Sequence, residues 1–180
     1  DTFETLLARN IWMEQKAFAV GLRIQHPQTM INKSQYGREE HPLLGAASYK
    51  VTHQASTGRG VYSFCMCPGG YVVNASSEDG RLAVNGMSNH ARDGENANSA
   101  LIVTVTPEDF VGDSPLAGIA FQRRLEELAF KAGGGRIPVQ LFCDFKENRE
   151  SRQPGDVNPQ FKGGWQFGNL REVLPEELSR

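Results

Sequence analysis

The chain has 180 residues, 19 basic and 21 acidic side chains for a formal net charge of -2, and 39% hydrophobic residues. That is one domain's length with enough apolar side chains for a core, and its balanced charge argues against a nucleic-acid partner or an anionic membrane surface. No apolar run reaches membrane-spanning length, and three cysteines, two of them separated by a single residue, do not make a secreted disulfide framework, so a cytoplasmic location is expected.

The chain opens in what reads as a helix, with Phe3, Leu6 and Leu7 on one side. A strand follows from Lys16 to Gln25, and Pro27 begins a short helix that runs to about Gln35 and closes at Gly37. Ala46 to Gln54 and Gly60 to Cys67 read as paired strands joined by Ser56-Thr57-Gly58-Arg59. Gly70 to Ala75 and Arg81 to Asn85 make a second hairpin across Glu78-Asp79-Gly80. A polar loop from Gly86 to Ser99 leads into an apolar strand, Ala100 to Thr106.

The spacing predicts one long helix over about 115–132. Asp113 or Ser114 caps it, Pro115 takes the first position, and Gly133-Gly134-Gly135 stops it. Its buried stripe is Ala117, Phe121, Leu125, Leu128 and Ala132. Pro138 to Phe145 reads as a last strand, and Lys146 to Gly168 as a long polar connection. Leu174 to Arg180 begins another helix with Pro175 at its start. The pattern predicts an α+β domain, with a mainly antiparallel or mixed sheet and the long helix packed on a face. Both ends are expected to continue into a larger protein.

The most informative segment is Tyr62-Ser63-Phe64-Cys65-Met66-Cys67-Pro68-Gly69-Gly70-Tyr71. Side chains alternate along a strand, so Tyr62, Phe64 and Met66 share a face suited to a core. Ser63, Cys65 and Cys67 share the other, against which a flat group could lie. Pro68 ends donation to the ladder, and Gly69 and Gly70 allow close approach to the backbone. Packing alone would produce the same pattern, because cysteine behaves as a small hydrophobe. Both readings stand.

The loop from Asn85 and Gly86 to Ser99 is dense in hydrogen-bonding side chains. It is either an ordinary turn-rich loop or a polar wall in which Arg92 holds an anionic group beside His90, Asn96 and Asn98. His26, His41 and His53 are scattered and read as structural or surface residues. Cys65 and Cys67 lie closer together than zinc ligands usually do and Cys143 is distant, so no metal site is expected. There is no G-x-G-x-x-G after a strand, no P-loop, no H-E-x-x-H and no G-x-S-x-G, so the chain is not expected to hold a dinucleotide in the usual way.

Gly21-Leu22-Arg23-Ile24-Gln25-His26-Pro27-Gln28, Leu44-Gly45-Ala46-Ala47-Ser48-Tyr49, Val61 to Gly70, Asn85-Gly86-Met87-Ser88, Asn96-Ala97-Asn98-Ser99-Ala100, Pro107-Glu108-Asp109-Phe110 and Phe121-Gln122 occur together. With them the chain resembles the FAD-dependent, or NAD(FAD)-utilising, dehydrogenases over nearly its whole length. That resemblance implies the inserted substrate or cap domain of a flavoprotein, spanning about 17–169. Residues of about 1–16 and 170–180 would then be edges of an FAD-binding domain in the same polypeptide.

The resemblance further implies FAD in the intact protein, with NAD(P)H as a reductant, an unidentified small-molecule substrate, and no cofactor bound to this chain alone. Ser63, Cys65, Cys67, Pro68, Gly69, Gly70, Asn85, Gly86, His90, Arg92, Asn96, Asn98 and Ser99 would face flavin or substrate, with Cys65 and Cys67 the catalytic candidates. Two other readings are a free-standing binding module and a small thiol or zinc protein.

Overall fold

Apolar residues punctuated by single polar ones build the central strands of this protein, whose computed structural model describes residues 2–179. In chain order the elements are α1 (Thr2–Ala8), β1 (Phe18–Pro27), α2 (Gln28–Tyr36), β2 (Thr52–Gln54), β3 (Gly60–Cys67), β4 (Gly70–Asn74), β5 (Val84–Ser88) and β6 (Asn96–Val105). Then come α3 (Ala117–Ala132), β7 (Ile137–Val139), α4 (Phe142–Lys146), β8 (Phe161–Lys162), β9 (Trp165–Phe167) and α5 (Glu176–Ser179), with 3-10 turns at Pro107–Asp109 and Leu170–Glu172.

The main sheet has the order β1-β6-β3-β2 and is antiparallel throughout. A smaller mixed sheet has the order β5-β4-β8, and β7 and β9 form a parallel pair. The domain is therefore α+β, with α3 as its longest helix.

Helix α3 forms where the sequence expects it but starts later. Its N-cap is Leu116, without a side-chain cap bond, rather than Asp113 or Ser114, because the Ala117 N–H donates to the Ser114 carbonyl in a separate turn that leaves Pro115 ahead of the helix. Ser114 Oγ accepts from the Leu116 N–H at 3.2 Å, Pro115 precedes the first turn, and Gly133 closes the helix by donating to the Ala129 carbonyl. Its N-terminal half buries Ala117 and packs Phe121 against Phe18, Val20, Val105 and Phe110. Phe18 and Phe110 stack with centroids 5.1 Å apart. This is the core at one end of the main sheet. At the other end Ile31 of α2, Ala47 and Ala97 form a second cluster with Tyr49 and Met66.

Several elements differ from the sequence pattern, each for a local reason. Of the strand expected over Ala46–Gln54, only Thr52–Gln54 pairs as a ladder. Ala47 is instead held by α2, its N–H donating to Asn32 Oδ1 and its carbonyl accepting from Gln28 Nε2. The second arm of the expected hairpin lies at Val84–Ser88 rather than Arg81–Asn85. Arg81 pairs with Glu78 and Glu127, and the Leu82 N–H donates to the Glu126 carbonyl, which draws that stretch onto α3. The expected strand Pro138–Phe145 splits into β7 and α4. Ser151 Oγ accepts the Leu141 N–H and donates to Asp144 Oδ2 at 2.6 Å, which turns the chain there. Strands β8 and β9 lie within what reads as a long connection.

The turn after β6 is pinned by charge. Asp109 Oδ2 accepts from the Thr106 N–H, and the Arg59 guanidinium grips both carboxylate oxygens at 2.5 and 2.9 Å. The hydrogen bonds from Arg59 hold Asp109 below the usual carboxylate range. A depressed carboxylate contributes stability above its unfolded pKa of about 3.9 and loses it as pH falls through the lower folded value. Asp109→Asn is therefore expected to cost about 1–2 kcal/mol near pH 7. Urea denaturation should show the gap to the parent closing below about pH 4; a gap independent of pH would refute the account.

Candidate functional site

The alternation of β3 breaks midway. Phe64 lies opposite Ala100, but Cys67, not Met66, lies opposite Asn98, so one extra residue sits in the strand. This β-bulge centres on Cys65, whose φ of 50° is the left-handed region that side chains other than glycine avoid. Ahead of the bulge, in regular register, the faces are also the reverse of those expected. Ser63 is buried, with its Oγ accepting from the Val51 N–H, whereas Phe64 is 59% exposed. Only Met66, beyond the bulge, reaches the apolar cluster around Ala97. Cys65 is exposed and Cys67 half-buried.

Arg23, the lone charge within β1, fills the bulge. It lies opposite Ala100, which in turn lies opposite Phe64. Arg23 Nη2 donates to the Cys65 carbonyl at 2.6 Å and approaches Cys67 Sγ at 3.6 Å, and Nε donates to Asn98 Oδ1 at 2.9 Å. Gly86 of β5 closes over this group: a Cβ there would lie 2.5 Å from both Arg23 Cζ and Asn98 Oδ1. Among the described residues no carboxylate pairs with Arg23, and Asn98 Nδ2 is buried with no hydrogen-bond partner. A half-buried guanidinium answered only by neutral acceptors, beside an unmet donor, is an arrangement that normally calls for explanation.

Two further groups border it. Ser99 Oγ donates to the Phe64 carbonyl at 3.2 Å. Burial pushes the Tyr49 phenol up, opposed by a hydrogen bond with Ser99 and by the Arg23 charge. The His26 ring lies 5.4 Å from that of Tyr49, and burial pushes it below the usual imidazole range.

Pro68, Gly69 and Gly70 are all buried. The Gly69 N–H donates to Gln28 Oε1 at 2.8 Å, and its carbonyl accepts from Gly94 N–H at 3.1 Å. Gly69 has a φ of 48°, and a Cβ on it would run into the Arg92 carbonyl. The space at Gly69 is filled by the loop Arg92–Gly94, and that at Gly70 by Met87 and Ser88 of β5.

The candidates thus fall into separate places. Cys65, Cys67, Gly86 and Asn98 converge on Arg23. Arg92 and Asn96 line a different, polar cleft of about 530 Å³ with Gln28, His41 and Asn158. His90 is exposed and lines neither, and Asn85 is exposed with its Oδ1 accepting from the Gly86 N–H. Asn96, Asn98 and Ser99 stand on the central strand β6 rather than in a loop, and all three are buried. Sequence reasoning missed Arg23, Gln28 and Tyr49; the signal for Arg23 was a charge inside the run Leu22-Arg23-Ile24. Among the described residues, no three His, Cys, Asp or Glu side chains are grouped to hold a metal ion, and no helix is long and apolar enough to cross a membrane.

A family model described as "FAD-dependent protein, C-terminal domain-like" matches residues 17–180. A protein of Clostridium beijerinckii described as uncharacterized is 57% identical over 180 residues, an alignment covering 98% of this chain and 34% of the relative. The chain spans about a third of the length of that curated relative.

Proposed function

We propose, because the chain belongs to the FAD-dependent protein C-terminal domain-like family, that it is a substrate-binding cap over the flavin of a longer cytoplasmic oxidoreductase. The observation that carries this reading is Cys65. It is an exposed thiol held in left-handed backbone on a bulge, next to a half-buried Arg23 that has no carboxylate partner among the described residues. Bulges re-aim side chains beside active sites, and backbone strain persists where function requires it.

The flavin would be held by another part of the polypeptide, since this chain has no glycine-rich phosphate loop. When bound there it would supply hydride transfer, with NAD(P)H as the reductant. The residues of this chain would orient the substrate and exclude water: Arg23 and Asn98 offer donors at the bulge, and Phe64 and Cys65 present its outer surface. We take the cap to run from about residue 17 through the described C-terminal residues. Val173 and Leu174 are buried and Leu178 packs on the Phe18–Phe110 cluster, whereas Ile11 and Trp12 are exposed ahead of β1. Those leading residues would form the edge of the flavin-binding part.

Two results would test this. Cys65→Gly relieves the left-handed strain and is expected to stabilise the isolated chain by about 1 kcal/mol, while slowing turnover of the intact flavoprotein. Alkylation of Cys65, followed by mass spectrometry, should be about tenfold or more slower in the flavin-loaded intact protein than in this chain. Equal reactivity in the two would place Cys65 away from the flavin and sink the reading.

A further inference from the structure

The outer edge of β1 pairs with no strand among the described residues, because β1 ends the sheet order. Alongside it lies a cleft of about 540 Å³, closed on the far side by α3, β7 and α4. That volume falls in the range of roughly 300–1,000 Å³ typical of small-molecule sites. Its walls are mainly aliphatic and aromatic, with Leu22 and Ile24 on one side and Val72, Leu125, Ile137 and Phe145 facing them.

Among the described residues two charged ones line it, Arg23 from β1 and Glu126 from α3. Arg23 is fixed by its contacts to Cys65, Cys67 and Asn98. Its Nη1 makes no hydrogen bond among the described residues, and no carboxylate lies within ion-pair distance of it. Among the described residues the Glu126 side chain has no such anchor; outside the helix its backbone carbonyl accepts from the Leu82 N–H. A preorganised cation pays little to bind an anion, while a loose carboxylate must be ordered first.

We propose that this cleft binds an amphipathic carboxylate, with an apolar body against Leu22, Val72 and Leu125 and its anionic head on Arg23. Burial of a hydrocarbon chain supplies the affinity and the guanidinium sets the orientation. Unpaired backbone groups on the β1 edge give the site further polar contacts. The assignment shares Arg23 with the flavin reading but needs no flavin to be tested.

The test is calorimetric titration of this chain with sodium decanoate, decanol and decyltrimethylammonium. Decanoate should saturate a single site and bind about tenfold or more tightly than either of the others. Arg23→Gln should reduce decanoate to the level of decanol. Ala129→Phe, which fills the cleft from α3, should abolish binding of all three, with circular dichroism confirming that each variant is folded. If Arg23→Gln unfolds, the charge series and Ala129→Phe still decide. Tightest binding of the cationic amphiphile would assign the site to Glu126, and equal binding of decanoate and decanol would remove the anionic head. Absence of binding would mean that the cleft is closed to small molecules or is a seat for polypeptide. Each of these three overturns the proposal.

Discussion

Gly69→Ala should lower the stability of the domain by about 3–5 kcal/mol, at the upper end for a single methyl group. Two costs add. The residue sits at a φ of 48°, a conformation that costs a non-glycine residue about 1–2 kcal/mol. The new Cβ also meets the Arg92 carbonyl, which is backbone and cannot rotate away. To make room, the loop must give up the Gly94 N–H bond to the Gly69 carbonyl and disturb the Gly69 N–H bond to Gln28. Gly45→Ala is the matched control, because nothing lies within 4 Å of a Cβ there; it should change stability by less than about 0.5 kcal/mol. Guanidinium denaturation of both variants provides the measurement. A Gly69→Ala protein within about 1 kcal/mol of the parent would mean that the loop moves freely. The same geometry makes Gly69→Ala unsuitable for testing function, since lost activity would follow from lost structure.

Arg23→Leu is expected to cost about 2–4 kcal/mol. The change removes the bonds to Asn98 Oδ1 and the Cys65 carbonyl and leaves Asn98, which has no exposed surface, with neither end of its amide paired. Since the loss runs through Asn98, the effects of Arg23→Leu and Asn98→Ala should not add. Asn98→Ala should cost less in the Arg23→Leu background than in the parent, with a coupling of about 1–3 kcal/mol. A double-mutant cycle by urea denaturation measures that coupling. Additive costs would show that Arg23 contributes only its own packing, and would remove the physical basis for the buried polar group described at the bulge.

The family assignment constrains how these results bear on function. The chain spans about a third of its Clostridium beijerinckii relative, and folding and amphiphile binding can be measured on this domain by itself. Stability losses in the Arg23 and Gly69 variants must therefore be known before any activity measurement on the intact protein is interpreted.

Much of the fold was legible in the sequence. The α+β class, α3 with its glycine stop, the antiparallel β3 and the first arm of the hairpin after it follow from local preferences, because glycine and apolar periodicity act within a few residues of themselves. The Cys65–Gly70 stretch could likewise be singled out from composition.

What could not be read locally is where polar residues are tolerated. Asn96, Asn98 and Ser99 look like loop residues by type, yet they form the buried start of β6, since Gln25, Asn158, Arg23 and the Phe64 carbonyl meet their hydrogen-bonding groups from distant parts of the chain. The bulge at Cys65 is equally invisible in a period-two pattern, because the register of β3 is set by its partner β6. The sequence by itself determined the fold class, the positions of α3, β1, β3 and β4, and the family, through short-range preferences and shared strings. The tertiary structure alone decided that Arg23, Cys65, Gly86 and Asn98 form one group and that Arg92 belongs elsewhere, since a hydrogen bond between residues 75 positions apart depends on strand pairing and register rather than on either residue's neighbours.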